Sequence, residues 1–162
     1  MDRLVICIFA LIAFTGCPGG GTLLDTLDFP QTEPQPKDLA GTYRPDAATV
    51  KDIRVRGHYP ERDISIRLSA DGRFACTNIP DWWTAEFGKP SGDFITATGT
   101  WRVAREQSFW QIELEWTSAG RRHGASINLV GKKAPFFLRI YLGDPDEGKV
   151  MQFAKDEASP SA

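Results

Sequence analysis

Apolar and polar residues alternate along most of the chain after residue 60, and this alternation predicts short β-strands. The clearest segment is 110–116, in which four large apolar residues share one face and glutamine and glutamate residues share the other. A strand that is buried on one side only has this period of two. The same period recurs in the segments 64–68, 74–77, 94–103, 125–129, 136–142 and 149–154, and residues 41–44 complete a set of about eight strands.

The connections between these segments are short, and most of them have the composition of hairpin turns. Asp71-Gly72 between two alternating segments is a strong hairpin signal. Only residues 47–56 have a helical pattern, with Asp46 as the N-cap and Gly57 as the stop. Since closing the sheet removes its edge strands, the sequence predicts a mainly β fold. We expect a single antiparallel up-and-down, calycin-like barrel with one short helix, and a two-layer β-sandwich is the alternative.

The N-terminal residues have the pattern of an export signal. Residues 4–14 are continuously apolar and follow Arg3. This run has the length of a signal-peptide core and is too short to span a bilayer. The run ends at Phe14-Thr15-Gly16-Cys17. This ending resembles the lipobox of bacterial lipoproteins, and the resemblance implies acylation of Cys17 and cleavage before it. An ordinary secretory signal is the alternative.

Composition divides the chain into four segments. Residues 1–16 are the predicted signal peptide, and 17–37 form a lipidated cysteine with a Pro- and Gly-rich flexible tether. The β-domain is expected over 38–157 and a disordered tail over 158–162. Cys76 is the one cysteine within the expected domain, so no disulfide is predicted there, and its place in an alternating segment predicts a buried thiol.

Charge and motifs argue against several classes of function. Of the 162 residues, 25% are charged, and from Asp38 onward acidic and basic residues are equal in number. Nucleic-acid binding is not predicted, because no basic stripe is interleaved with aromatic residues. His58 and His123 lack the spacing of zinc ligands, and no nucleophile, phosphate-loop or dinucleotide motif is present. We therefore expect no cofactor, no metal and no catalytic residues.

A second resemblance covers residues 64–155. The segments 68–74, 78–83, 99–101 and 143–148, together with Phe153, are similar to those of a group of small, uncharacterised bacterial exported proteins. The resemblance implies one discrete β-domain and implies no activity.

The strongest candidate for a binding site is the loop 79–92, which carries Trp82, Trp83 and Phe87. Aromatic side chains in a loop can form a ligand lip or a contact patch for a partner. The alternative is that the indoles plug one end of the barrel. The acidic segment 143–148 has the composition of a tight hairpin turn and lacks the spacing of a calcium loop.

Together these features predict a lipid-anchored protein of the bacterial cell envelope, on the periplasmic face of the outer membrane if the cell is Gram-negative. We expect a non-catalytic binding module for a hydrophobic ligand or an envelope component. The alternative is an immunity- or inhibitor-type lipoprotein with a filled core that contacts another protein, and an enzyme is a remote third. A cavity inside the barrel favours the first hypothesis, and a filled interior favours the second.

Overall fold

The computed structural model describes residues 28–83, 91–144 and 147–156. Its elements in chain order are α1 (Pro36–Leu39), β1 (Gly41–Pro45), α2 (Ala47–Val55), β2 (Ser65–Leu68), β3 (Arg73–Pro80), a 3₁₀ turn (Asp81–Trp83), β4 (Phe94–Glu106), β5 (Phe109–Ser118), β6 (Arg121–Val130), β7 (Phe137–Tyr141) and β8 (Val150–Lys155).

The eight strands form one closed barrel in the order of the sequence. Each strand pairs antiparallel with the next, and β8 returns to pair with β1, for example Tyr43 opposite Lys155. The predicted up-and-down barrel is therefore confirmed, and the sandwich alternative is wrong. The physical reason is that the β1–β8 ladder supplies backbone partners to the first and last strands, which a sandwich leaves as edges.

The interior of the barrel is filled with side chains. All eight strands contribute large apolar residues to one continuous buried cluster, and Tyr43, Ile112, Ile127, Leu138 and Phe153 are almost completely inaccessible. They come from alternate positions of their strands, as the period of two requires. Burial of the Cys76 side chain agrees with the prediction, and it raises the pKa of the thiol above its ordinary value.

Up-and-down connectivity places alternate connections at the same end of the barrel. We call one end the strap end; it holds the β2–β3, β4–β5 and β6–β7 connections. The other end is the helix end, which holds α2, the 3₁₀ turn and the β5–β6 and β7–β8 connections. Among the described helices, none combines the length and the hydropathy that a membrane crossing requires.

The strap end is covered by the residues that precede β1. We call residues 28–35 the N-terminal strap. The Gly131 amide donates to the carbonyl of Asp28 at 2.6 Å, and Lys132 pairs with the Asp28 carboxylate at 3.0 Å. The ring of Phe29 lies 5.7 Å from that of Phe109. Packed structure thus begins ten residues before the boundary predicted at residue 38.

At the helix end, the start of helix α2 provides hydrogen-bond partners for the backbone of β8. The register of β1 with β8 stops at Pro45 opposite Phe153. Beyond that point the Gln152 amide donates to Thr49 Oγ1 at 2.8 Å, and the Asp46 amide donates to the Gln152 carbonyl at 3.0 Å. Asp46 also accepts from the Thr49 amide at 2.8 Å, so the predicted N-cap is confirmed. The first turn of α2 therefore replaces the missing strand partner of β8.

Candidate binding site at the helix end

The predicted loop 79–92 begins at the helix end, immediately after β3. Its first residues form the 3₁₀ turn that carries Trp82 and Trp83. The Trp82 side chain is 5% exposed and stacks on Tyr59, with ring centroids 6.4 Å apart. Trp83 is half-buried and lies 6.4 Å from the Trp116 ring. Trp82 thus plugs the end of the barrel, whereas Trp83 keeps part of its surface exposed. The predicted binding residue Phe87 lies outside the described residues.

Asp81 ties the two ends of this loop together. Its carboxylate accepts hydrogen bonds from the Tyr59 hydroxyl and the Ser91 hydroxyl. Its amide donates to the carbonyl of Asp93 at 2.9 Å. Burial, followed by the hydrogen bond and the charge of Asp81, raises the pKa of the Tyr59 phenol above its ordinary value. The tyrosine therefore stays protonated and serves as a donor that positions the base of the loop.

Next to this turn, β4 and β5 separate and leave a cleft. Their pairing runs from Glu106 opposite Phe109 to Gly99 opposite Trp116, and there it stops. β5 reaches its turn after Ser118, whereas β4 extends back to Phe94. We call residues 94–98 the open edge of β4. An open cleft of about 510 Å³ follows this edge, and its opposite wall is formed by residues 116–118 and His123.

Aromatic residues form the floor of the cleft. The Trp116 indole is 9% exposed and stacks against the His123 imidazole, with centroids 5.4 Å apart and planes 15° apart. The Phe74 ring meets the same indole edge-on at 6.4 Å. Gly99 permits this approach, because a Cβ atom at position 99 would lie 2.8 Å from the Phe74 ring and 2.0 Å from the carbonyl oxygen of Glu115. The glycine thus fixes the place where the two strands part.

The acidic segment 143–148 is only partly described, because Asp146 lies outside the described residues. The Glu147 amide donates to the Asp144 carbonyl at 3.0 Å, and Lys149 pairs with the Glu147 carboxylate at 2.6 Å. These contacts are those of a turn. Within the described part of the chain, no three carboxylate, imidazole or thiol groups converge as a metal site would require.

The structure places one predicted binding residue, Trp83, against the Trp116 ring, and Trp116 lines a cleft that the sequence did not predict. The strand pattern located the individual segments, but it carried no information about where the β4–β5 ladder ends. The nearest sequence signal is Gly99 between two alternating stretches, since a glycine within a strand often marks a close approach of another group. Cys17, the predicted acylation site, lies outside the described residues.

No protein-family model matches the chain, and neither a curated protein nor a solved structure is significantly similar to it.

Proposed function

We propose that the protein is a lipid-anchored, non-catalytic binding module of the bacterial cell envelope, and that it recognises a partner on its surface at the helix end. The observation that carries this proposal is the filled interior next to an open cleft. Of the two hypotheses drawn from the sequence, it favours the protein-interaction module over storage of a ligand inside the barrel.

The buried side chains occupy the part of the barrel in which a stored hydrophobic ligand would lie. Side chains from all eight strands meet in one buried cluster, with Ile112, Ile127 and Leu138 at its centre. A pocket that accepts a small molecule usually has a volume of about 300–1,000 Å³. The 510 Å³ cleft lies between strands and is open to the surface, so a ligand bound there would contact the outside of the core.

The position of the N-terminal strap indicates which end of the barrel would face the membrane. Asp28 lies at the strap end, where its carbonyl accepts from Gly131. Ten residues separate Cys17 from Asp28, and fully extended they span about 35 Å at most. An acyl group on Cys17 would hold the protein at a bilayer, since each buried CH₂ contributes about 0.8 kcal/mol. The strap end would then face the membrane, and the cleft would face away from it.

The anchoring part of the proposal is tested by the substitution Cys17→Ser in the full-length gene. We expect the native protein to fractionate with membranes and to carry acyl mass at Cys17. The variant should carry no acyl mass and should retain its leader. A native protein with an unmodified cysteine would contradict this part.

The binding part is tested with two tryptophan variants that differ in position. Trp83→Ala removes a half-buried indole at the helix end, and Trp110→Ala removes a half-buried indole near the strap end. In pull-downs from envelope extract, we expect Trp83→Ala to lose a partner that the native protein and Trp110→Ala both retain. Equal recovery by both variants would contradict a site at the helix end. Lipid retained in native mass spectra after incubation with phospholipid and palmitate would favour ligand storage instead.

A further inference from the structure

The open edge of β4 presents unpaired backbone groups to the cleft. Trp101 donates its amide to the Gly72 carbonyl on the β3 side, and the Asp93 carbonyl accepts from Asp81 on the same side. Backbone groups of successive strand residues point to opposite edges. The amides of Phe94, Thr96 and Thr98 therefore point toward the cleft. Among the described residues, none forms a strand ladder with this edge.

This edge differs from the edge of β8 at the point where the β1–β8 ladder ends. Where β1 leaves β8, Asp46 and Thr49 of the α2 cap take over the backbone groups of Gln152. Beside residues 94–98 the described chain supplies no such substitute. An exposed row of amides and carbonyls at strand spacing is a template for a further strand, and proteins use it to bind extended peptides.

The walls of the cleft suit a peptide side chain. Ala97 and Trp116 lie on the inward faces of their strands and line the cleft beside the His123 imidazole. A side chain of an added strand that points inward would meet this apolar floor, and the next side chain would point outward beside Thr96 and Thr98. The partner strand is therefore expected to alternate apolar and polar residues.

The charges at the cleft favour an acidic partner. Arg121 lies opposite Ser118 at the β5–β6 turn, next to the cleft wall. Arg62 lies over the Phe94 ring, 4.4 Å from its centroid. Neither arginine has a carboxylate partner within the described part of the chain. The carboxylate of Asp93 adjoins the Phe94 end of the edge, so the positive charge is least compensated at Arg121.

We propose that the open edge of β4 binds an extended, acidic segment of a partner protein by β-strand addition, with an apolar side chain against Ala97 and Trp116 and a carboxylate at Arg121. This inference rests on the proposed function and names the class of partner. Opposite charge speeds association and selects among partners, while main-chain hydrogen bonds provide the binding itself.

Three synthetic peptides test this proposal on the full-length, ¹⁵N-labelled protein. The first alternates valine and threonine over six residues with an aspartate at each end. The second has lysine at both ends, and the third is the acidic peptide with every second amide N-methylated on the pairing edge. We expect the acidic peptide to slow exchange of the Thr96 and Thr98 amides, and to bind about tenfold more tightly than the lysine peptide at low salt. The N-methylated peptide should not bind.

Protein variants separate the backbone and charge contributions. Thr98→Pro removes one amide from the open edge, where proline is tolerated in strands, and Thr98→Val retains that amide. We expect binding to be lost in the first variant and kept in the second. Arg121→Glu should reverse the peptide preference, and Lys133→Glu at the strap end is the charge-matched control that should leave it unchanged.

Several results would overturn the inference. The first is an N-methylated peptide that binds as tightly as the unmethylated one, and the second is equal affinity for the acidic and the lysine peptide. The third is slowed amide exchange only at residues outside the cleft, and the fourth is no binding of any peptide. If the peptides fail while the pull-down still depends on Trp83, the proposed function survives without strand addition. If both fail, the helix end is not the binding site. Should Thr98→Pro not fold, the N-methylated peptide still decides the outcome.

Discussion

Truncation of one side chain at the centre of the barrel tests whether the interior is packed as solidly as the structure shows. Ile127 of β6 is completely buried and lies opposite Ile112 of β5. Ile127→Ala removes three carbon atoms from the core, which costs about 2.4 kcal/mol at about 0.8 kcal/mol per buried group. The cavity left behind adds roughly 1 kcal/mol, because neighbouring side chains close it only in part. We therefore expect a loss of about 3–4 kcal/mol.

The measurement is urea denaturation at 25 °C of the native protein, Ile127→Ala and the control Ser126→Ala. Ser126 is the exposed neighbour on the same strand, and its substitution should change the free energy of unfolding by less than about 0.5 kcal/mol. For a domain of this size, the core variant should also lower Tm by roughly 10 °C. A loss below about 1 kcal/mol, with an unchanged dependence on urea, would show that the interior is loosely filled and would refute surface binding as the sole mode.

Three further results are expected from the same structure. Phe29→Ala should cost roughly 1 kcal/mol through its lost contact with Phe109, and it should speed proteolysis within the N-terminal strap while the strands stay protected. Thr49→Val should cost about 1–3 kcal/mol in urea denaturation, because the half-buried Gln152 amide loses its acceptor. Alkaline pH should lower stability: burial raises the pKa values of Tyr43 and Cys76 in the folded state, so the unfolded chain loses these protons first. The contribution of these two groups to the free energy of unfolding should stay constant below about pH 8 and fall above it. A stability that rises between about pH 8 and 10 would contradict the burial of both groups.

The barrel was predictable from the sequence because its strands are apolar on one face and polar on the other. In the segment 110–116 every second residue is large and apolar, and the structure buries Ile112, Leu114 and Trp116 on one face. Closure followed from the need to pair edge strands, which is a general property of sheets. Helix α2 was predicted for a local reason as well, since the Asp46 cap lies three residues from its partner amide at Thr49.

The N-terminal strap and the open edge were not predictable, because both depend on contacts between distant parts of the chain. A Pro- and Gly-rich composition indicates a linker, yet Pro30 and Pro34 are buried against the barrel. The open edge exists because β5 diverges from β4 after Trp116: their ladder stops at Gly99, although β5 continues to Ser118 and β4 begins at Phe94. Strand ends are the least certain feature of a sequence pattern, and a difference of a few residues decides whether an edge stays open.

The most direct test of a binding edge at the helix end is amide hydrogen exchange in the free, full-length protein. The amides of Ile95 and Ala97 face β3 in the ladder, whereas those of Phe94, Thr96 and Thr98 face the cleft. We predict an alternating pattern along β4, with slow exchange at positions 95 and 97 and fast exchange at 94, 96 and 98. Uniformly slow exchange across residues 94–98 would show that the edge is already paired, and it would contradict the account.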